Sequence, residues 1–196
     1  MSLILSGNSG TSTLDSSNGL SMAVWTTATR PSSPTAGQLG YNTTFGGMEM
    51  YNGSAWDCIS GGPAFSYYAS TGTSMSSGNY TKMIYDTKEF DTANAVSNSR
   101  FQPTLAGYYY TTAQVYWGLA SRGTECLVNF YKNGTVYKQG FDTYSSTSFY
   151  LMQSSVLVYL NGTTDYLEIY AYAATGSTTN TGNTNMWWQG YMVRGV

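Results

Sequence analysis

The chain has 196 residues, enough for one sizeable core with an appendage, and only 9% of them are charged, for a net charge of −2 with no histidine. Eight Lys and Arg scattered singly do not form the basic stripe that neutralises phosphates, which excludes an ordinary nucleic-acid binder. The absence of His removes the commonest partner of nucleophilic Ser and Cys and of zinc.

Residues 1–24 are a Ser/Gly/Thr/Asn tract with spaced Leu3, Leu5, Leu14 and Leu20 and no helical period. Such a segment buries too little to order itself, so it reads as an extended anchor ordered by a partner. It has no basic leader, and its apolar run is too short for a signal peptide or a membrane span. Retention in the cytoplasm where it is made, with no membrane insertion, is the expectation.

Residues 25–62 carry Arg30-Pro-Ser-Ser-Pro34, Gly37-Gln-Leu-Gly-Tyr41-Asn, Met48-Glu-Met-Tyr51-Asn-Gly53 and Trp56-Asp-Cys-Ile59. Short apolar runs split by Gly-Gly and Asn-Gly turns predict a small β-meander. This string is similar to a module recurrent in bacteriophage tail-fibre and virion-appendage proteins. Gly61-Gly62-Pro63 is the natural joint to a third region, 63–196.

In that region the strand phases are informative. From Gly107 to Leu119, Tyr109, Ala113, Val115 and Trp117 form one apolar face, while Tyr108, Tyr110, Gln114 and Tyr116 occupy the other. A face turned to water carries Lys, Glu or Thr; tyrosines suit a surface that meets another protein. Residues 149–160 are apolar on both faces, with Phe149, Leu151, Leu157 and Tyr159 opposite Met152, Val156, Val158 and Leu160. Residues 186–194 repeat the pattern, with Trp187, Tyr191 and Val193 opposite Met186, Trp188 and Met192. By contrast Leu167, Ile169, Ala171 and Ala173 alternate with Tyr166, Glu168, Tyr170 and Tyr172, a strand buried on one side. The pattern predicts an all-β jelly-roll sandwich whose inner sheet packs around a threefold axis, giving a homotrimer. Tyr108, Tyr110, Tyr116, Val156, Val158, Trp188 and Met192 are the expected trimer-interface residues.

The stretch from Phe90 through Phe101 to Trp117, with Phe101 five residues before Gly107-Tyr108-Tyr109, carries a family resemblance. It resembles the signature of the globular head of complement first component subcomponent q, a trimeric jelly roll related to tumour necrosis factor. The loop between Asp91 and Phe101 is shorter than that pattern, and Thr111 and Ala113 replace aromatics. The likeness continues through Tyr131-Lys-Asn-Gly134, Val158-Tyr-Leu-Asn-Gly162, Tyr166-Leu-Glu-Ile-Tyr170 and Gly190-Tyr-Met-Val-Arg194. The resemblance implies a trimeric jelly roll and specifies no ligand.

Little chemistry is legible. Cys58 and Cys126 lie far apart with no CxxC, so no metal site is read, and the phase of Cys126 with Val128 and Phe130 predicts a buried thiol. Asp86, Glu89 and Asp91 sit beside Lys82 and Lys88, a solvated charge cluster rather than a glycosidase pair. Gly176–182 lacks a phosphate-loop ending and reads as a hairpin crown. Some relatives bind Ca²⁺ near the trimer axis, where Asp142 or Asp165 could take part, but no calcium-loop spacing is present. Asn-x-Ser/Thr triplets at Asn42, Asn52, Asn79, Asn133 and Asn161 fit a chain rich in these residues, and some are Asn-Gly turns.

No enzyme, cofactor or metal is therefore expected. The expected function is a bacteriophage virion component, a tail fibre, spike or decoration knob, located in the virion. Its N-terminal segment would meet other virion proteins, and its trimeric head would bind a host receptor or surface glycan. The alternative is a bacterial lectin-like adhesion module of the same fold. Arg122, Tyr144 and Tyr150 are candidate ligand contacts because hairpin tips carry recognition, and the crowns at 120–124, 142–148 and 174–185 are the expected variable loops.

Overall fold

The computed structural model describes the backbone of residues 4–7, 10–15, 19–20, 22–44, 46–59, 61–119, 124–145 and 149–195. Side chains are described for 22–44, 46–59, 61–117, 125–140 and 151–195. The chain divides into two compact units, Met1–Gly62 with Arg194–Val196, and Pro63–Val193. Its last three residues thus group with the first unit rather than with the third region.

In the first unit, β1 (Ile4–Gly7), β2 (Gly10–Asp15) and β3 (Gly19–Leu20) form a three-stranded antiparallel sheet. Pairing in sequence order lets these short polar strands satisfy each other's backbone groups. A second sheet has the order β4 (Val24–Trp25), β5 (Leu39–Asn42), β6 (Gly47–Tyr51), β7 (Trp56–Cys58). β5, β6 and β7 pair antiparallel in sequence order, and β4 adds to β5 in parallel.

Several residues of this sheet have a clear structural task. Trp25 packs edge-on against Trp56 at 5.0 Å. Its ring lies so close over Gly40 that a Cβ there would stand 2.0 Å from Cη2, so position 40 admits only glycine. Glu49 is fully buried; its carboxylate accepts from Trp25 Nε1, Asn42 Nδ2 at 3.1 Å, and Arg30 Nε and Nη2 at 2.9 and 2.5 Å. Asn52 Oδ1 accepts from the amides of Ser54 and Ala55 and closes the turn into β7.

The second unit holds β8 (Ala64–Tyr68), β9 (Ser74–Met75), β10 (Asn79–Lys82), β11 (Thr87–Asp91), β12 (Val96–Ser97), β13 (Arg100–Phe101), β14 (Ala106–Leu119), β15 (Thr124–Lys132), β16 (Thr135–Ser145), β17 (Phe149–Asn161), β18 (Leu167–Ala173), β19 (Ser177–Thr179) and most of β20 (Trp187–Gly195). The inner sheet runs β11-β8-β20-β14-β19-β9, with β17 also paired to β14. The outer sheet runs β12-β13-β18-β15-β16, with β10 also on β18. The two sheets form a jelly-roll sandwich. The 174–185 stretch, expected to be only a crown, contributes β19 to the inner sheet, where it bridges β14 and β9.

Between the sheets lies an aromatic core. Phe65 packs on Phe101 at 4.5 Å and edge-on to Trp188 at 5.1 Å, and Phe101 meets Tyr109 at 5.2 Å. Buried polar groups there are satisfied: Trp188 Nε1 donates to Thr111 Oγ1 at 2.6 Å, which donates to the Gln189 carbonyl at 2.9 Å. Cys126 is fully buried, as its phase indicates, and accepts from Trp117 Nε1 at 3.4 Å.

Candidate functional site

The strand phases predict an apolar outward face on the inner sheet, and its register defines that face. β14 and β17 pair Tyr108 with Tyr159, Tyr110 with Leu157, Thr112 with Ser155, Gln114 with Gln153 and Tyr116 with Leu151. Side chains at directly opposed positions share a face, so two apolar bands flank a polar middle. β20 extends the first band: the Tyr191 ring lies 5.9 Å from Tyr110, and Tyr108 lies 5.6 Å from Tyr159. Leu157, Tyr191 and Val193 remain 54%, 53% and 54% exposed, an unusual concentration of large apolar surface on one sheet face.

This face overturns part of the expected interface. Tyr108 and Tyr110 are exposed on it and Tyr116 is half-buried. Val156, Val158, Trp188 and Met192 point the other way; all four are buried in the core of their own chain, so they have no surface left for a neighbour. The residues that share the tyrosine face are instead Leu151, Leu157, Tyr159, Tyr191 and Val193. Both phases of β17 and β20 are apolar, so hydropathy alone could not say which one faces the partner sheet. The ladder decides it, since Tyr110 on the open face requires its opposite residue, Leu157, to be there too.

On the outer sheet Leu167, Ile169, Ala171 and Ala173 are fully buried, and the alternate residues form a row of tyrosines on the opposite face. Tyr131 and Tyr170 stack at 4.0 Å, Tyr80 lies 5.2 Å from Tyr172 and 6.3 Å from Tyr131. Beside them Glu168 Oε1 binds both Lys82 Nζ at 2.7 Å and Arg100 Nε at 2.9 Å, and the Arg100 guanidinium lies 3.8 Å from the Tyr166 ring centroid. Burial pushes the Glu168 carboxyl up, but hydrogen bonds from Lys82 and Arg100 outweigh it and hold it below the usual range. Burial, then the neighbouring phenols, raises Tyr131. Lys82 also lines a cleft of about 570 Å³ shared with Tyr67, Ile84, Tyr85, Asp86 and Asn98.

The charge cluster is solvated as expected, with Asp86, Lys88 and Glu89 exposed, and its carboxylates also hold neighbouring segments. Asp86 accepts from the Ser70 amide and hydroxyl, Glu89 from Ser66 Oγ at 2.6 Å, and Asp91 from the amides of Ala93, Ala95 and Val96. Asp165 is held by Lys132 at 2.8 Å and Asn133 at 2.7 Å, an arrangement that locks a hairpin rather than a cation. No group of three metal-ligating side chains occurs among the described residues. Arg122 lies outside the described residues; the backbones of Asp142, Tyr144 and Tyr150 are in β16 and β17, and their side chains are outside what is described.

No family model matches the chain, and no curated protein sequence matches it. Solved structures do. The globular domain of zebrafish complement 1qA is 20% identical with a TM-score of 0.47, covering 67% of this chain and 97% of its own. Murine APRIL at pH 8.0 is 12% identical with a TM-score of 0.51, over 67% of this chain and 98% of its own. Eiger TNF from S. frugiperda is 10% identical with a TM-score of 0.50, over 68% and 93%. The covered share matches the length of the second unit, and that unit has the jelly-roll fold of these tumour-necrosis-factor-like domains.

Proposed function

We propose that the chain is a homotrimeric binding module, not an enzyme, that serves as a receptor-binding knob of a bacteriophage virion appendage. The observation that carries it is the open aromatic face of Tyr108, Tyr110, Leu157, Tyr159, Tyr191 and Val193. Burying apolar area contributes about 25 cal/mol per Å², and a face of this kind marks an interaction surface that copies of the chain cover in a symmetric oligomer. A threefold arrangement is supported by the complement-head resemblance and by the exposed Leu157, Tyr191 and Val193 beside the inner-sheet tyrosines. Three linked heads bind weak surface ligands with avidity that single sites lack. The virion assignment is supported by the tail-fibre-like string from Arg30 to Trp56, whose residues build a compact sheet of their own.

Light scattering on the full chain is the test. The expected mass is three times 21.3 kDa, and Leu157→Glu, which puts a charge on the open face, reduces it to one. A monomer for the unaltered chain at micromolar concentration ends the trimer reading. Mass spectrometry of purified phage particles tests the virion assignment separately.

A further inference from the structure

We propose that the outer-sheet tyrosine platform of Tyr80, Tyr131, Tyr170 and Tyr172 is a binding site for neutral oligosaccharides, which names the ligand class of the receptor-binding reading and rests on it. Four observations converge. First, these rings form one continuous aromatic surface, with Tyr80 44% exposed and the other three half-buried. They do not cover one another fully, so ring faces and hydroxyls stay available. The C–H face of a pyranose packs on such rings, and phenol hydroxyls hydrogen-bond its rim.

Second, the floor holds an unsatisfied acceptor. Asn129 is on the outward phase of β15, directly opposite Tyr170 in β18 and Gln139 in β16. It is 2% exposed, and its Oδ1 has no hydrogen-bond partner among the described residues. A buried acceptor of this kind is costly, and a sugar hydroxyl that parts the side chains over it satisfies it. Third, the local charge is compensated. Lys82 and Arg100 both close on Glu168 and Asp86 lines the cleft beside Lys82, so two cations stand among two carboxylates and neither sign is in excess. A charge-compensated aromatic surface selects a neutral, hydroxyl-rich partner over a phosphate, a sialylated chain or a nucleic acid. Fourth, Lys82 joins the platform to the cleft lined by Tyr67, Ile84, Asp86 and Asn98, so a chain of several sugars has a groove with apolar walls and polar groups to run into.

The experiment is calorimetric titration of the full chain with a panel of neutral hexasaccharides built from glucose, galactose or N-acetylglucosamine, and with a polysialic hexamer of matching length. At least one neutral oligomer is expected to bind saturably, the sialic oligomer not. Tyr80→Ala and Tyr170→Ala are each expected to weaken binding about tenfold. Tyr41→Ala, in the first unit, leaves it unchanged. Tyr80 lies on a short edge strand and is expected to be replaceable without unfolding; near-ultraviolet circular dichroism of both variants checks this. Tyr131→Phe, which keeps the ring, is expected to weaken binding less than Tyr170→Ala. No binding by any neutral member, preference for the sialic chain, or binding untouched by a folded Tyr80→Ala overturns the proposal. Affinity per chain is read whatever the oligomeric state, so a monomeric mass or absence from particles would remove the receptor-knob reading without deciding this one.

Discussion

Phe101, from outer strand β13, and Tyr109, from inner strand β14, meet edge-on across the sandwich at 5.2 Å, and both are fully buried. The spacing that ties Phe101 to Gly107-Tyr108-Tyr109 is therefore a packing rule. The segment between them turns the chain from one sheet to the other, and the two rings close the gap. Tyr109 adds a hydrogen bond from its hydroxyl to the Leu105 carbonyl at 2.8 Å, which pins the turn.

Phe101→Ala is expected to cost about 3–5 kcal/mol of stability, because the cavity lies between two sheets that cannot collapse onto it. Tyr109→Phe keeps the ring and loses the bond to Leu105, for about 1 kcal/mol. Urea unfolding followed by tryptophan fluorescence measures both. Equal losses for the two variants would mean that the hydroxyl, rather than the ring contact, holds this junction.

Much of the fold was legible in the sequence. The strands at 106–119 and 167–173 follow from period-2 alternation and the one at 149–161 from an apolar run on both faces, and the one-sided burial of Leu167, Ile169, Ala171 and Ala173 follows with them. The interface phase of β17 and β20 was not legible, because Val156 and Leu157, or Met192 and Tyr191, are equally apolar and only pairing with β14 distinguishes them. β19 was missed because Ser177, Thr178 and Thr179 have no hydropathy contrast; their strand is fixed by neighbours on both sides, not by their own propensity. The outer tyrosines were visible only as the polar side of an amphipathic strand, and their meeting across β10, β15 and β18 depends on long-range register.

The two phases of β17 give a direct contrast. Leu157→Glu is expected to lower the mass in light scattering to that of one chain while each chain keeps its near-ultraviolet dichroism. Val158→Ala, from the buried phase, is expected to leave the oligomer intact and cost about 2 kcal/mol in urea unfolding. The reverse pattern would put the interface on the wrong face of the strand.

In the first unit the Arg30–Glu49 pair is the point of greatest sensitivity. Arg30→Met leaves the fully buried Glu49 carboxylate with only the Trp25 and Asn42 donors, and breaking a buried pair from one side costs about 3–5 kcal/mol. Hydrogen exchange is expected to lose protection in β5, β6 and β7 and to keep it in β14 and β17. Loss of protection throughout would show that the two units unfold as one.

Acid response follows from the same chemistry. At Glu49 burial pushes the carboxyl up, while hydrogen bonds from Arg30, Trp25 and Asn42 together pull it below its ordinary 4.5; Glu168 is lowered in the same way by Lys82 and Arg100. At Asp165 burial likewise opposes, and Lys132 and Asn133 outweigh it. A carboxyl whose folded pKa is depressed binds fewer protons folded than unfolded. Its stabilisation is fully present above the unfolded value and is lost as pH falls through the folded value, with a slope of at most about 1.4 kcal/mol per pH unit for each group. Urea midpoints are therefore expected to be flat from pH 7 to about 5 and to fall steadily below the ordinary value of 4.5. Glu168→Gln removes one such group, so its midpoint starts lower at pH 7, where Lys82 and Arg100 have lost their shared carboxylate, and declines less steeply in acid. A variant whose acid slope matches the unaltered chain would show that the Lys82–Glu168–Arg100 cluster is not a source of the acid sensitivity.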